Sequence, residues 1–426
     1  MIETTKLLSY FGKINHQPSI YDTTTMNRDL DKLHQYPFER LSSLLSEIVP
    51  PKELAHISLS VGEPKHSPPS FVEETIAASM HKLSMYPSTK GTLEFRQVIS
   101  DWLKNRFILK DIDANTQVLP ANGTREALFA FAQATIDREN HPLILIPNPF
   151  YQIYEGAAFL SGARLHFLNC NEATGFLTDF SSVTAEVWDA CQLIYICSPG
   201  NPSGAVLDMT ALQELINLAD RHNFIIASDE CYSEIYYNEN NPPTGLLEAC
   251  AKMQRNDYAR CIVFHSLSKR SNLPGLRSGF IAGDANIIAS FLRYRTYHGC
   301  AMPLITQSAS IAAWSDEVHV KKNREKYRQK FQIFQQILGD SLPLNIPDAG
   351  FYLWVNILPA GVGNDEIFSR ELFSQQNVTV LPGRYLGRLS NNSNPGENYI
   401  RMALVATVEE CREAAERIKQ LIASSS

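Results

Sequence analysis

Short apolar runs alternate with helix-patterned segments in the middle of the chain, and this alternation limits the possible folds more than any other feature. The apolar run 193–197 is followed by apolar residues at helical spacing between 212 and 219, and then by a second run, 224–227. A strand, a helix and a second strand in this order form a βαβ unit, whose strands pair in parallel. Further strands are predicted at 143–146, 261–264 and 279–282. We therefore expect an α/β fold with a mostly parallel central sheet flanked by helices.

The rest of the chain divides into segments of different character. Residues 1–25 are polar and weakly patterned, which indicates an N-terminal extension, either disordered or upstream of a true start at Met26. Two proline pairs set the segment 26–70 apart from a large domain that we expect at 71–320. A charged helix, strand-like runs and an amphipathic final helix follow in 321–426. They predict a smaller α+β domain, which the segment 26–70 joins.

The composition argues against several classes of protein. The net charge is −7, and the absence of a long basic run argues against a nucleic-acid partner. No apolar stretch has the length that a membrane span requires. The eight cysteines are scattered without a CxxC pair, which indicates reduced thiols and neither a zinc site nor a disulfide framework. We expect a cytoplasmic protein that holds no metal and binds no membrane.

Polar residues follow three of the predicted strands. Asn201 lies in an NPSG turn after the first apolar run, and Asp229 follows the second run, with Tyr232 three residues later. Lys269 closes the segment FHSLSK, which begins in another predicted strand. Taken singly, these residues are explained as well or better by a turn, a helix cap or a surface position. Ligands of open parallel sheets bind outside the carboxyl ends of the strands, so Asn201, Asp229 and Lys269 together indicate one site.

These residue types suit a pyridoxal phosphate cofactor. A lysine amine holds that cofactor as a Schiff base, and a carboxylate keeps its pyridine nitrogen protonated as an electron sink. The phosphate requires cations and a helix N-terminus, and Gly123 and Thr124 open a helix within the tract PANGTREAL. Such a helix start is also common where no ligand binds. No GxGxxG follows a strand and no GxxxxGK[ST] occurs, so a nucleotide site is not supported.

Together the motifs resemble the class I and II aminotransferases of fold type I, over residues 26–423. They are SLSK with Arg277 and Gly279 downstream, NPSG, and Asp229 with Tyr232. The resemblance implies that Lys269 binds pyridoxal phosphate and moves the substrate proton, and that Asp229 pairs with the pyridine nitrogen.

The same resemblance implies roles for further residues. Asn201 and Tyr232 are expected to bond the ring hydroxyl, and Tyr151 is expected to stack on the ring, although a core aromatic is a fair alternative there. The residues expected to hold the phosphate are Ser266, Arg277, Gly123 and Thr124.

The substrate residues that the resemblance implies lie near the two ends of the chain. Arg401, in YIRMAL, is expected to bind the substrate α-carboxylate, with Asn201 and the backbone of Gly62 beside it. Tyr86, in YPSTKG, is expected to reach the phosphate of a neighbouring subunit. The resemblance therefore implies a homodimer with two shared active sites.

Four stretches narrow the resemblance to succinyldiaminopimelate aminotransferases: YPFERL, YHGC, LPGRYL and NPG before YIRMALVA. They imply transfer of the amino group of N-succinyl-LL-2,6-diaminoheptanedioate to 2-oxoglutarate, in diaminopimelate and lysine biosynthesis. Lys90, Arg295 and Arg384 are alternatives for binding the distal acid of these substrates.

Three rival functions share these motifs. One is an aminotransferase for aspartate, alanine or aromatic amino acids, and another is a C–S lyase of the same fold. The third is a pyridoxal-phosphate-binding regulator, but residues 1–25 are too few for a helix-turn-helix domain and the chain is acidic.

Overall fold

The computed structural model describes residues 26–425, so the predicted N-terminal extension lies outside the described residues. Short strands and longer helices alternate through them. The strands are β1 (Ile57–Ser58), β2 (Val118–Ala121), β3 (Leu143–Asn148), β4 (Arg164–Asn169), β5 (Cys191–Cys197), β6 (Ile225–Asp229), β7 (Cys261–Ser266), β8 (Gly279–Gly283), β9 (Tyr352–Asn356), β10 (Val378–Thr379), β11 (Leu381–Pro382) and β12 (Tyr399–Ala403). The α-helices are α1 (Pro37–Leu45), α2 (Ser70–Ala78), α3 (Leu93–Phe107), α4 (Thr124–Thr135), α5 (Ile153–Ser161), α6 (Ala185–Ala190), α7 (Met209–His222), α8 (Leu246–Lys252), α9 (Leu267–Arg270), α10 (Ala285–His298), α11 (Leu304–Trp314), α12 (Val318–Leu338), α13 (Asp365–Gln376) and α14 (Val408–Ser425).

The larger sheet has seven strands in the order β2-β8-β7-β6-β5-β3-β4. The strands from β7 through β6, β5 and β3 to β4 pair in parallel, while β8 runs antiparallel to both β7 and β2. The βαβ unit predicted from the sequence is confirmed, because β5 and β6 pair in parallel and α7 connects them. Most of these strands are buried along their length, as a parallel sheet covered by helices on both faces requires.

Two apolar cores cover the two faces of this sheet. One contains Trp102, Leu215 and Phe280, and the other contains Leu128, Tyr154 and Phe264. A third core fills the C-terminal region around Phe334, Leu353, Met402 and Ile418.

The C-terminal region forms its own sheet, with the antiparallel order β11-β12-β9. The segment before α2 contributes to this region, because β1 pairs in parallel with β10 and Leu59 shares the third core. Thr407 and Glu410 bond each other's backbone N–H groups at the start of α14 and so form a capping box. None of the helices in residues 26–425 combines the length and the apolar character needed to cross a membrane.

Candidate active site

Three neighbouring parallel strands end side by side and bring the predicted residues together. In the sheet, Cys197 of β5 lies opposite Asp229 of β6, and Asp229 lies opposite Phe264 of β7. Asn201 follows β5 in the next turn. Lys269 belongs to the one-turn helix α9, which follows directly after β7 ends at Ser266.

The amine of Lys269 points to the backbone of the N-terminal segment. Its Nζ donates a hydrogen bond to the carbonyl oxygen of Gly62 and lies 5.4 Å from the ring centroid of Phe351. Burial lowers the pKa of Lys269 to about 8, and the positive charges of Arg401 and Arg125 act in the same direction. An amine with this pKa is partly neutral near pH 7 to 8, which is the form that attacks a carbonyl carbon.

The carboxylate of Asp229 is buried and firmly held. Its Oδ2 accepts a 2.7 Å hydrogen bond from the hydroxyl of Tyr154, and its Oδ1 accepts one of 3.3 Å from the backbone N–H of Cys231. Burial raises the pKa of Asp229. A cationic partner, such as a protonated pyridine nitrogen, would stabilise the ionised form of this carboxylate.

The start of α4 has features that suit an anion. Gly123 precedes the helix with φ of +85°, and a Cβ atom there would collide with the guanidinium of Arg277. Arg277 bonds only the carbonyl of Pro274 within the described residues and has no carboxylate partner there. Free N–H groups, an unpaired guanidinium and room enforced by a glycine are what a phosphate requires.

Two other predicted phosphate ligands already have polar partners. The Oγ of Ser266 caps α9 by accepting from the backbone N–H of Ser268, and it also donates to the Ser268 hydroxyl at 2.9 Å. The hydroxyl of Thr124 lies 3.0 Å from the thiol of Cys231.

Arg401 is a buried cation without a carboxylate partner among residues 26–425. Its two terminal nitrogens donate to Oδ1 of Asn201 at 3.0 Å and to the carbonyl of Ser60 at 2.8 Å. Its Nε is buried and has no hydrogen-bond partner in the same part of the chain. These neutral acceptors hold the guanidinium in place and leave its charge available to an anion.

Two tyrosines, one after β6 and one at the start of β9, meet near Gly62. The hydroxyls of Tyr232 and Tyr352 lie 2.9 Å apart, and the guanidinium of Arg401 lies 4.5 Å from the ring centroid of Tyr352. A Cβ on Gly62 would collide with the hydroxyl of Tyr352. Gly62 is therefore needed for this close approach of the N-terminal segment to the site.

A second tyrosine pair lies on the α4 side of the site. The hydroxyl of Tyr151 accepts a 2.7 Å hydrogen bond from Nε of Arg125, and its ring meets that of Tyr154 edge to face. Burial has the largest effect in raising the pKa of Tyr151, and the nearby phenol of Tyr36 raises this pKa further. The electrostatic effect of the Tyr36 phenol also reaches Arg125 and Tyr352. The start of α1 therefore lies close to these two residues.

Four of these residues have no role predicted from the sequence: Tyr36, Arg125, Tyr154 and Tyr352. A signal existed for Tyr154, which follows Tyr151 by three residues, and for Arg125, which follows Thr124 directly. One predicted residue does not join the others, because the side chain of Tyr86 is fully exposed at the surface.

Comparison with known proteins shows the family. The model for aminotransferases of class I and II matches residues 55–418. The crystal structure of an aminotransferase from Neisseria meningitidis is 47% identical, with a TM-score of 0.89, and covers 93% of this chain and 100% of that chain. An LL-diaminopimelate aminotransferase from Maridesulfovibrio salexigens is 30% identical over 92% of this chain and 98% of its own length. A structure from Thermus thermophilus named a probable N-succinyldiaminopimelate aminotransferase is 26% identical, with a TM-score of 0.80, over 90% of this chain and 100% of that chain. The chain belongs to the class I and II aminotransferases.

Membership of this family confirms the fold class and the cofactor expected from the sequence. The family depends on pyridoxal phosphate and uses amino-acid and 2-oxo-acid substrates. The described residues fit the cofactor: the glycine-lined start of α4 beside Arg277 suits its phosphate, and the buried Asp229 suits its pyridine nitrogen. Lys269 provides the amine that this cofactor requires, with a pKa of about 8.

Proposed function

We propose that Lys269, Asp229 and Arg401 carry out transamination at this site. When bound, pyridoxal phosphate supplies the electron sink that stabilises the negative charge developing at the substrate Cα. Asp229 would keep the pyridine nitrogen protonated, and Nζ of Lys269 would take up the proton that leaves the substrate Cα. Asn201 and Tyr232 would bond the ring hydroxyl and Tyr151 would stack on the ring. The phosphate would be held by Gly123, Thr124, Ser266 and Arg277.

The observation that carries this proposal is the guanidinium of Arg401, which lacks a carboxylate partner in residues 26–425 and whose charge reaches Lys269. A planar guanidinium binds a carboxylate through two parallel hydrogen bonds and fixes its orientation. A substrate held in this way presents its Cα to Lys269, and the backbone of Gly62 lies beside the same amine.

The proposed amino donor is N-succinyl-LL-2,6-diaminoheptanedioate, and the proposed acceptor is 2-oxoglutarate, within diaminopimelate and lysine biosynthesis. Support comes from the four sequence stretches given above and from the likeness to the Thermus thermophilus structure. A second candidate donor is LL-diaminopimelate without the succinyl group, which the Maridesulfovibrio relative favours. Both donors share a diaminopimelate skeleton with an α-carboxylate and a distal acid.

A donor screen tests this proposal. The purified holoenzyme is given 2-oxoglutarate with N-succinyl-LL-2,6-diaminoheptanedioate, LL-diaminopimelate, aspartate, alanine or phenylalanine, and glutamate formation is measured. The proposal expects the highest kcat/KM with the succinylated donor. A higher value with LL-diaminopimelate selects the second candidate. Equal use of aspartate, alanine or phenylalanine overturns both candidate donors.

The proposed assembly is a cytoplasmic homodimer with a two-fold axis. Its support is Tyr86, whose fully exposed side chain reaches no phosphate site of its own subunit. Sedimentation of the holoenzyme, followed by cofactor titration of Tyr86→Phe, tests this assembly. A dimer with weakened cofactor binding in the variant is expected, and an active monomer at assay concentration overturns the proposal.

A further inference from the structure

A buried lysine on the long helix α12 is held by neutral groups alone. The side chain of Lys330 is fully buried, and within residues 26–425 no carboxylate lies at ion-pair distance from it. Its Nζ donates hydrogen bonds to Nε2 of His66 at 2.7 Å and to the carbonyl of Leu404 at 3.0 Å. Burial lowers the pKa of Lys330 to about 8, so most of this amine is protonated near pH 7. A buried cation without an anionic partner is costly, and such groups are more frequent at functional sites than elsewhere.

His66 links Lys330 to Asn323. An ammonium group can only donate, so Nε2 of His66 accepts the bond from Lys330. Burial, followed by the positive charge of Lys330, lowers the pKa of His66 to about 4, so the ring is neutral near pH 7 and carries one proton. That proton must lie on Nδ1, which then donates to Oδ1 of Asn323 at 2.9 Å. The lysine thus determines the direction of the hydrogen bonds as far as Asn323.

Asn323 bonds the turn that carries Lys269. Its Nδ2 donates to the backbone carbonyls of Lys269 and Arg270, each at 3.2 Å. These carbonyls end the one-turn helix α9, where no further turn supplies N–H groups to them. The Oδ1 of Asn323 also accepts from Nδ2 of Asn272 at 3.0 Å, so both ends of the amide are bonded. A helix as short as α9 is not stable by itself and depends on such contacts for its position.

The segment that precedes α2 contacts Lys269 at two points. The carbonyl of Gly62 accepts a hydrogen bond from Nζ of Lys269. His66 lies four residues later in the same segment and reaches the backbone carbonyl of Lys269 through Asn323. Lys269 is therefore held at its amine and at its backbone by two residues of one short stretch of chain.

We propose that Asn323 is a positioning residue for the amine of Lys269, and that Lys330 and His66 fix its orientation. The inference rests on the proposed function, in which Lys269 is the reactive amine. Proton transfer depends on where Nζ lies relative to the substrate Cα, and a displacement of about 1 Å can lower a rate about 100-fold. If the three side chains only satisfied each other's buried polar groups, their loss would lower stability and leave the rate unchanged.

Two variants and two matched controls test this role. Asn323→Ala removes both bonds to the carbonyls of α9, and Lys330→Met removes the donor to His66 while keeping a side chain of similar length. Ser100→Ala is the first control, because it also removes a buried donor to a backbone carbonyl, in this case outside the site. Lys322→Met, an exposed change on the same helix as Lys330, is the second control.

The first measurement is conversion of each holoenzyme by L-glutamate, followed by loss of the cofactor's visible absorbance. The maximal rate is expected to fall about 10- to 100-fold in Asn323→Ala and about 3-fold or more in Lys330→Met. The glutamate concentration at half-saturation should stay within about 3-fold, because neither change touches the carboxylate site at Arg401. Both controls should keep the wild-type rate, whatever their loss in Tm.

The second measurement uses the cofactor-free protein and does not depend on the amino donor. Capture of pyridoxal phosphate by Lys269 is followed through the visible absorbance that it produces. Pyridoxamine phosphate is the reference ligand, because it has no aldehyde and cannot form a bond to Lys269. In Asn323→Ala, capture of pyridoxal phosphate is expected to slow about 10-fold or more. The dissociation constant of pyridoxamine phosphate should stay within about 3-fold, since the phosphate and pyridine sites are unchanged.

Three results would overturn the proposal. One is an unchanged rate and unchanged capture in Asn323→Ala or in Lys330→Met, with or without a loss in Tm. Another is an equal weakening of pyridoxal phosphate capture and pyridoxamine phosphate binding, which would mean that the whole site is disturbed. The third is a similar fall in rate in Ser100→Ala.

The proposed function fails by a different result. Normal turnover in Lys269→Met would remove the reactive amine itself. Loss of turnover in Lys269→Met beside full activity in Asn323→Ala would leave the proposed function in place and remove only the positioning role.

Discussion

The hydroxyl of Tyr154 donates a 2.7 Å hydrogen bond to Oδ2 of Asp229, the carboxylate assigned to the pyridine nitrogen. The ring of Tyr154 stacks on that of Tyr195 at a centroid distance of 4.8 Å and an angle of 8°, so the donor has little freedom to move. Burial raises the pKa of Asp229, and the bond from Tyr154 opposes this effect by stabilising the ionised carboxylate. A residue behind the cofactor pocket thus supports the charge that the chemistry requires.

Replacing Tyr154 with Phe removes this donor and keeps the stacked ring. We expect turnover to fall about 10-fold or more, since hydrogen bonds to charged groups contribute about 1.5–3 kcal/mol. The acid limb of the kcat profile should move to higher pH, because the pKa of Asp229 rises further without the bond. Tyr195→Phe is the matched control: it removes a hydroxyl from the same stack, one that bonds the carbonyl of Leu128. Equal losses in the two variants would contradict the role of Tyr154.

Replacing Lys269 with Met should abolish turnover and the cofactor's visible absorbance, while the protein stays folded. Methionine has a similar length and no amine, so the apolar contacts near Phe351 can persist. Absorbance spectra and a donor assay measure both losses. Lys110→Met, a change of an exposed lysine, serves as the control. Normal turnover in Lys269→Met would remove the central assignment of the site.

The substitution Lys269→Met should also change how the stability of the cofactor-free protein depends on pH. The pKa of Lys269 is about 8 in the folded chain and 10.5 in the reference state, so the unfolded chain binds more protons between these values. Native Lys269 therefore destabilises the fold below pH 8, by on the order of 1–3 kcal/mol, and this cost disappears as the pH rises towards 10.5. Lys269→Met should raise Tm at pH 7 and raise it less at pH 10. A constant difference in Tm between the two pH values would show that the amine is not desolvated.

Replacing Gly123 with Ala should weaken cofactor binding. The new Cβ would collide with the guanidinium of Arg277, and φ of +85° is unfavourable for alanine. We expect the dissociation constant of pyridoxal phosphate to rise about 10-fold or more, since strain of this kind costs on the order of 1–3 kcal/mol. Gly175→Ala is the control, because Gly175 also has positive φ but faces open space. Similar cofactor affinity in the two variants would argue against the phosphate site.

Replacing Arg401 with Lys should damage both half-reactions. An ammonium group cannot reproduce the planar two-point contact with a carboxylate, and it would leave either Asn201 or Ser60 without its donor. A loss of about 10- to 100-fold in kcat/KM, roughly 1.4–2.7 kcal/mol, is the expected scale for each substrate. Arg164→Lys, an exposed change, should behave as the wild type does. A loss confined to one half-reaction would conflict with a shared α-carboxylate site.

The order of elements and the main site were readable from the sequence because both depend on local patterns. Two apolar runs separated by a helical segment predict a strand, a helix and a strand, which are β5, α7 and β6 in the structure. The two strands pair in parallel, so their carboxyl ends lie at the same edge of the sheet. Asn201, Asp229 and Lys269 follow such ends, so their convergence follows from topology alone. The boundaries were less certain: the lysine belongs to α9, because β7 ends three residues earlier.

Only the tertiary structure decided which charged and polar groups already have partners. Arg295 and Arg125 are the same residue type and cannot be told apart from the sequence. In the structure, Arg295 pairs with Glu126, which is 169 residues away, while Arg125 bonds only the Tyr151 hydroxyl within the described chain. Likewise, Tyr154 reaches Asp229 because α5 packs its inward face against the sheet. Such pairings depend on distances between elements far apart in the chain, and local periodicity carries no information about them. The sequence by itself therefore determined the parallel strands of the sheet and the cofactor, and the packing of the elements determined which charged groups already have partners.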